Sequence, residues 1–177
     1  MRQAEAKSGL KALYVTQKAY FSEKSRYTAD IGALGFQPER GNRFMYALGD
    51  CDASNTENRD AAVAVRHEGD VCIGADRTRF PGFPAGGVFP AQLPTSASWT
   101  AGSSLSGMTL GVSTGAACPG CDFVAAAVGD VDGVGGAGAD TWLVSSSSAT
   151  MTANCPVSTD TVSAGEAYNS YQDTACD

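Results

Sequence analysis

Between Ala4 and Arg26 the only helix-breaking residue is Gly9, and Leu10, Leu13, Tyr14, Gln17, Tyr20 and Phe21 recur at three- and four-residue spacings. All but Gln17 are apolar, so the run carries one helical stripe. Lys7, Lys11, Lys18 and Glu23 lie mostly away from that stripe. The spacing predicts one continuous helix over Ala4–Arg26, with Leu10, Leu13, Tyr14 and Phe21 laid on an antiparallel sheet.

The remainder of the chain supplies candidate strands. Ser25–Pro38 interrupts the helix, with Gly32, Gly35 and Pro38 as punctuation and Thr28 or Asp30 placed to cap a short turn. Arg43–Leu48 alternates, with Phe44, Tyr46 and Leu48 on one face, which predicts a half-buried strand. Ala61–Arg66 and Val71–Gly74 flank Glu68-Gly69-Asp70 and predict a hairpin. Phe80–Pro94 holds four prolines and several glycines and reads as loop. Ser96–Gly107 is small and polar. Met108–Val112, Asp122–Gly129 and Thr141–Ser146 read as strands. No repeat is evident. One long helix followed by strands places the chain in the α+β class, as a single unit at 177 residues.

Charge and cysteines narrow the function. The net charge of −7 and pI near 4.6 disfavour nucleic acid, whose partners present a basic footprint. No run approaches the roughly 20 apolar residues of a membrane helix; the longest, Ala61–Val65 and Phe123–Val128, are strand-sized. No signal peptide precedes the helix, so the start reads as cytosolic or as artificial. The six cysteines, Cys51, Cys72, Cys118, Cys121, Cys155 and Cys176, point instead to an oxidising compartment. Sequence proximity favours Cys51–Cys72, Cys118–Cys121 and Cys155–Cys176 among the 15 pairings that six cysteines allow.

Specific stretches carry a family resemblance. They are Glu5-Ala6-Lys7, Leu10-Lys11-Ala12-Leu13-Tyr14, Gln17-Lys18-Ala19-Tyr20-Phe21 and Pro38-Glu39-Arg40-Gly41-Asn42-Arg43. Further on, Phe123-Val124-Ala125-Ala126 leads to Gly129-Asp130-Val131-Asp132-Gly133 and then Asp140-Thr141-Trp142. In this order they resemble type IV pilin globular domains of the deltaproteobacterial, Myxococcus-like kind. Between about Asp50 and Ala117, and after Ser145, no resemblance is seen.

The resemblance implies a disulfide-bonded pilin fold, with residues 1–28 as the distal half of a spine helix and 29–177 as the globular head. It implies a structural subunit of a type IV pilus, supporting surface motility and adhesion. Its partners would be other pilin subunits, the pilus assembly machinery and, before assembly, the inner membrane; its final location would be the extracellular pilus. Family members carry a leader and an apolar half-helix ahead of this stretch, so the chain reads as the ectodomain alone with Met1 as an added start. A pseudopilin of type II secretion and a minor pilin or tip adhesin are the neighbouring alternatives.

Three chemistries remain. Asp130, Asp132 and Asp140 stand in a Gly-rich loop, and Asp-x-Asp-Gly followed by another acid can wrap Ca²⁺. The resemblance adds weight, because related major pseudopilins hold calcium in a comparable loop. The other reading is a solvated β-turn with Asx-type hydrogen bonds. Cys118-Pro119-Gly120-Cys121 could be a redox dithiol of an extracytoplasmic thiol protein. Its flanks carry no thioredoxin-like pattern, and a structural disulfide is favoured. Zinc would need a second pair, and His67 is the only histidine. Nothing assembles a catalytic triad or an acid/base pair, so no enzyme is expected. Trp99 and Tyr168 could bind sugars in an adhesive role.

Overall fold

The computed structural model describes residues 2–133 and 138–176. Of the acidic Gly-rich loop, residues 134–137 therefore lie outside the described residues, Gly135 and Gly136 among them.

The helix α1 spans Gln3–Lys24 and stops at Ser25, whose left-handed backbone ends it. Its buried residues are Ala6, Leu10, Leu13 and Gln17. Gln17, the one polar member of the predicted stripe, is fully buried because Thr28 answers both ends of its amide. Gln17 Nε2 donates to Thr28 O at 2.6 Å, and Thr28 N donates to Gln17 Oε1 at 3.2 Å. This pair folds the chain back after the helix. Asp30 then caps the short helix α2, Ile31–Leu34, by accepting from Ala33 N.

The main sheet holds β1 (Met45–Ala47), β2 (Thr56–Glu57), β3 (Cys72–Ile73), β5 (Gly111–Val112), β6 (Phe123–Gly129), β7 (Asp140–Ser145) and β10 (Tyr168–Tyr171). Its order is β10-β7-β6-β1-β3-β2, with β5 also paired to β6. A second sheet has β4 (Ser96–Trp99), β8 (Ala149–Thr152) and β9 (Thr159–Val162) in the order β4-β8-β9. A four-residue helix α3, Asp173–Cys176, ends the described chain.

Every residue of β6 and β7 is buried. Side chains alternate between two faces of a strand. Phe123, Ala125, Ala127 and Trp142 share a cluster with Leu10 and Leu13 of α1. Val124, Ala126, Val128 and Leu143 enter a second cluster with Met45, Ala47 and Phe89. The predicted half-buried strand at Arg43–Leu48 is thus buried on both faces: Phe44, Tyr46 and Leu48 turn toward α1, Met45 and Ala47 the other way.

Two expectations are corrected. The sheet is not wholly antiparallel, since β2 and β3 pair in parallel. Ala61–Arg66 forms no hairpin with Val71–Gly74. Val63 and Val65 are 77% and 52% exposed, and only a single bridge joins Asn58 to Val65. The place beside β3 is taken by Thr56–Glu57, because Glu57 can enter the interior paired with Arg59. Charged residues that look external are the buried ones here. The bonded cysteines are Cys51–Cys72, Cys118–Cys121 and Cys155–Cys176.

Gly9 is fixed by packing. A Cβ there would overlap the Tyr46 ring and hydroxyl, and Tyr46 is 1% exposed and cannot withdraw. Glycine costs a helix about 1 kcal/mol relative to alanine, so the close approach outweighs that loss. Gly9→Ala is expected to destabilise by about 1–3 kcal/mol despite its better helix propensity. The melting temperature should fall by about 2–4 °C per kcal/mol for a chain of this size. A melt equal to or above the wild type would show that Tyr46 does not set the helix-to-sheet distance.

Candidate functional site

Two regions concentrate charge around α1. One is the end of the molecule where the helix starts; the other is the loop that brings the chain from α2 into β1.

At the first, Glu5 Oε1 accepts from the backbone N–H groups of Arg43 at 2.8 Å and Phe44 at 3.1 Å. Burial still raises the Glu5 pKa, against the pull of those amides. Arg2 donates to the Val131 carbonyl, and Arg43 Nη1 donates to the Asp130 carbonyl at 2.9 Å. The turn after β6 is thereby held to both α1 and β1.

Asp130, Asp132 and Asp173 place one carboxylate oxygen each within 4.8 Å of one another. Asp173 Oδ2 accepts from Val131 N at 2.7 Å, and Asp130 Oδ1 accepts from Gly133 N at 2.6 Å. Asp140, predicted to join Asp130 and Asp132, is not among the carboxylates that meet within 4.8 Å, although it lies against Asp173. It accepts from Trp142 Nε1 at 2.6 Å and Gln3 Nε2 at 3.1 Å, fully buried. Asp173 stands beside Asp130 and Asp132 instead. Sequence spacing carried no signal for this, because Asp173 arrives from a distant segment through α3. Burial, with the nearby Asp173 charge adding to it, pushes the Asp140 pKa up to about 6. Burial also raises Asp173.

The second region fixes the Pro38–Arg43 motif. Arg59, 1% exposed, donates through Nε to Glu57 Oε2 at 2.9 Å. Its Nη1 donates to Pro38 O, Glu39 O and Asn42 Oδ1 at 3.0, 3.2 and 2.9 Å. Glu57 Oε1 accepts from Arg66 Nε at 2.8 Å. Arg40 forks onto both Asp76 oxygens at 2.7 and 3.2 Å. That guanidinium, with donors from Gly41 and Thr78, holds the Asp76 carboxyl well below the usual range. Between this loop and α1 lies an open groove of about 600 Å³, walled by Ser8, Gly9, Ala12 and Thr16 and floored by Phe36 and Tyr46. Sequence reading quoted the motif but missed Glu57, Arg59 and Asp76, which hold it from afar.

The other singled-out residues have local roles. Cys118–Cys121 closes a turn before β6 with a Cα–Cα distance of 4.5 Å. Trp99 Nε1 donates to Gly107 O at 2.8 Å, and Tyr168 packs beside the small cluster of Ala149, Met151 and Val162. His67 is exposed, with Nδ1 3.7 Å from Asp70 Oδ2. Among the described residues no helix is long and apolar enough to cross a membrane.

Comparison with known proteins adds two findings. The family model described as "Type IV pilin PilA" matches residues 1–138. The protein described as "Type IV major pilin protein PilA" of Myxococcus xanthus (strain DK1622) is 37% identical over 182 aligned residues, covering 99% of this chain and 79% of that protein.

The buried acids make a pH prediction. A carboxyl whose folded pKa is raised binds more protons folded than unfolded, so stability falls as pH climbs from its unfolded value toward its folded one. For Asp140 that window runs from about 4 to about 6 and carries on the order of 3 kcal/mol. Asp140→Asn should flatten the decline across this window in urea unfolding at successive pH values. A slope unchanged by the substitution would show that Asp140 does not carry it.

Proposed function

The chain belongs to the type IV pilin family, and from that premise we infer that it is a structural subunit of a type IV pilus. It acts by assembling with other pilin subunits, not by catalysis. The reading rests on similarity to a major pilin along nearly the whole chain. The pilus it builds is extracellular.

Finer statements are proposed on the same ground. The fold is read as a spine helix packed on its head: α1 contributes Ala6, Leu10 and Leu13 to the cluster that includes Phe123 and Trp142. Residues 1–28 then serve as spine and 29–177 as head. Handling by the pilus assembly machinery and a stage in the inner membrane before assembly are proposed from the family. Force on the filament would reach the head through α1, whose Glu5 is bonded to Arg43 and Phe44, the two residues that lead into β1. Motility and adhesion are the proposed uses of the assembled filament. The disulfides suit such a role, because they restrain a head exposed to an oxidising exterior.

In a piliated host, a tagged full-length subunit carrying this chain should be recovered in filaments sheared from the cell surface. Leu13→Asp, which puts a charge into the fully buried α1 contact, should remove it from that fraction. A wild-type full-length subunit that stays wholly cell-associated while other filaments shear off would overturn the reading.

Calcium is proposed at the end of the molecule where α1 begins. The donors would be Asp130, Asp132 and Asp173, a hard-oxygen set that suits Ca²⁺. Asp140, engaged with Trp142 and Gln3, is outside it. Millimolar Ca²⁺ should raise the melting temperature over EGTA, and Asp132→Ala should abolish the rise. Identical wild-type melts would leave a turn held by amide hydrogen bonds alone.

A further inference from the structure

All four lysines of the chain, Lys7, Lys11, Lys18 and Lys24, lie on α1. Residues 80–177, by contrast, hold no lysine or arginine and eight acids. Lys7, Lys11 and Lys18 recur at helical spacing and form one exposed row on a flank of the helix. Val15, four residues after Lys11, is 57% exposed beside it. Among the described residues none of these lysines forms an ion pair with a carboxylate, although Lys18 feels the Asp122 charge. Ion pairs among the described residues use arginine or His67 as the cation. Lys7 Nζ sits over the Trp142 ring at 4.9 Å, and Lys18 donates to Tyr27 Oη at 3.2 Å. Among the described residues Lys11 makes no hydrogen bond or ion pair.

Seven of these acids lie among the described residues, and they divide by what faces them. Asp140 and Asp173 are buried. Asp122 is bonded by Ser104 and Ser146. Asp130 and Asp132 stand near the arginines Arg2 and Arg43, which bind the carbonyls of that same turn. Asp160 and Glu166 are exposed; Asp160 accepts from Ser158 Oγ and also faces the Tyr168 side chain, and Glu166 accepts from Ser163 N. Asp160 lies on β9, the edge strand of the small sheet, where Thr159, Asp160 and Thr161 are all exposed. An exposed edge must be guarded or covered by another chain.

Resting on the pilus reading, we propose that the lysine row of one copy docks on the β9 edge of a second copy, ammonium groups of Lys11 and Lys18 meeting the carboxylates of Asp160 and Glu166. The two surfaces differ, so the contact is heterologous. Such a contact repeats along an open helical assembly instead of closing on itself. Each pairing is weak when exposed, and many copies in one filament make the sum decisive.

The test is a charge exchange in full-length subunits in a piliated host, read as subunit recovered in sheared filaments. Lys11→Glu with Lys18→Glu should lower recovery about tenfold or more, and so should Asp160→Lys with Glu166→Lys. The two pairs combined should restore recovery to within a few-fold of the wild type. All four residues are exposed, and unchanged melts of the isolated chains confirm intact folds. One-sided variants that assemble like the wild type overturn the contact, as does a combined variant no better than either alone. Wild-type chain missing from filaments overturns the pilus reading, and the contact with it.

Discussion

Strand β6 is buried along all seven residues, and the rest of the molecule is arranged to cover its two faces. One face is covered by a regular element: α1 lies over Phe123, Ala125 and Ala127. The small alanines let the helix come close, and Gly9 against Tyr46 sets how close. The opposite face, Val124, Ala126 and Val128, is covered by chain with little regular structure. Phe83, Phe89, Leu93, Leu105, Met108 and Leu110 pack there from the segment between β3 and β6. Such a cover has few backbone ladders of its own. The Cys51–Cys72 bond, whose two residues border the same cluster, compensates by tethering its margin.

This asymmetry explains what could be read in the sequence. Helix α1 was legible because its apolar residues keep a helical period, and β6 and β7 because buried strands read as continuous apolar runs. Strands β4, β8, β9 and β10 are short and rich in Ser, Thr, Asn and Asp, with few apolar residues in each, so their pattern is weak. Ala61–Val65 misled for the converse reason. Its apolar run stays outside, while Glu57 and Arg59 go inside as a mutually satisfied pair. Gln17 could not be recognised as core, since its two partners are backbone groups of Thr28 beyond the helix end. Of the acidic group, Asp130 and Asp132 were visible as a motif. Asp173 was not, because only the tertiary fold brings α3 to that turn.

The electrostatics follow a division of labour along the molecule. Arg40, Arg59 and Arg66, answered by Asp76 and Glu57, hold the loop between α2 and β1 rigidly in place. These pairs are specified by geometry, since a buried guanidinium left unpaired would be strongly destabilising. At the end where α1 begins, carboxylates predominate, and burial rather than pairing sets the behaviour of Asp140 and Asp173. The two ensembles therefore respond to pH with opposite sign. Asp76 contributes stability that is lost as the medium becomes strongly acidic, whereas Asp140 contributes stability that is lost as pH rises toward neutral.

A filament subunit repeats each of its contacts once per copy, so an error of position in the head is repeated as well. Rigidity between α1 and the head is then more than a matter of stability. If α1 could rock on β6, the relation between its outer face and every other surface of the molecule would vary from copy to copy, and a repeating contact could not be kept in register. Three features oppose rocking at different points along the helix. Glu5 is bonded to the entry of β1, Gly9 is seated on the Tyr46 ring, and Gln17 is clasped to Thr28. They are spread over more than three turns of the helix, so a tilt that relieves one strains another. The residues that break the apolar stripe or the helical rule, a glutamate, a glycine and a glutamine, are thus the ones that fix the helix in angle and height, while the leucines between them supply the burial.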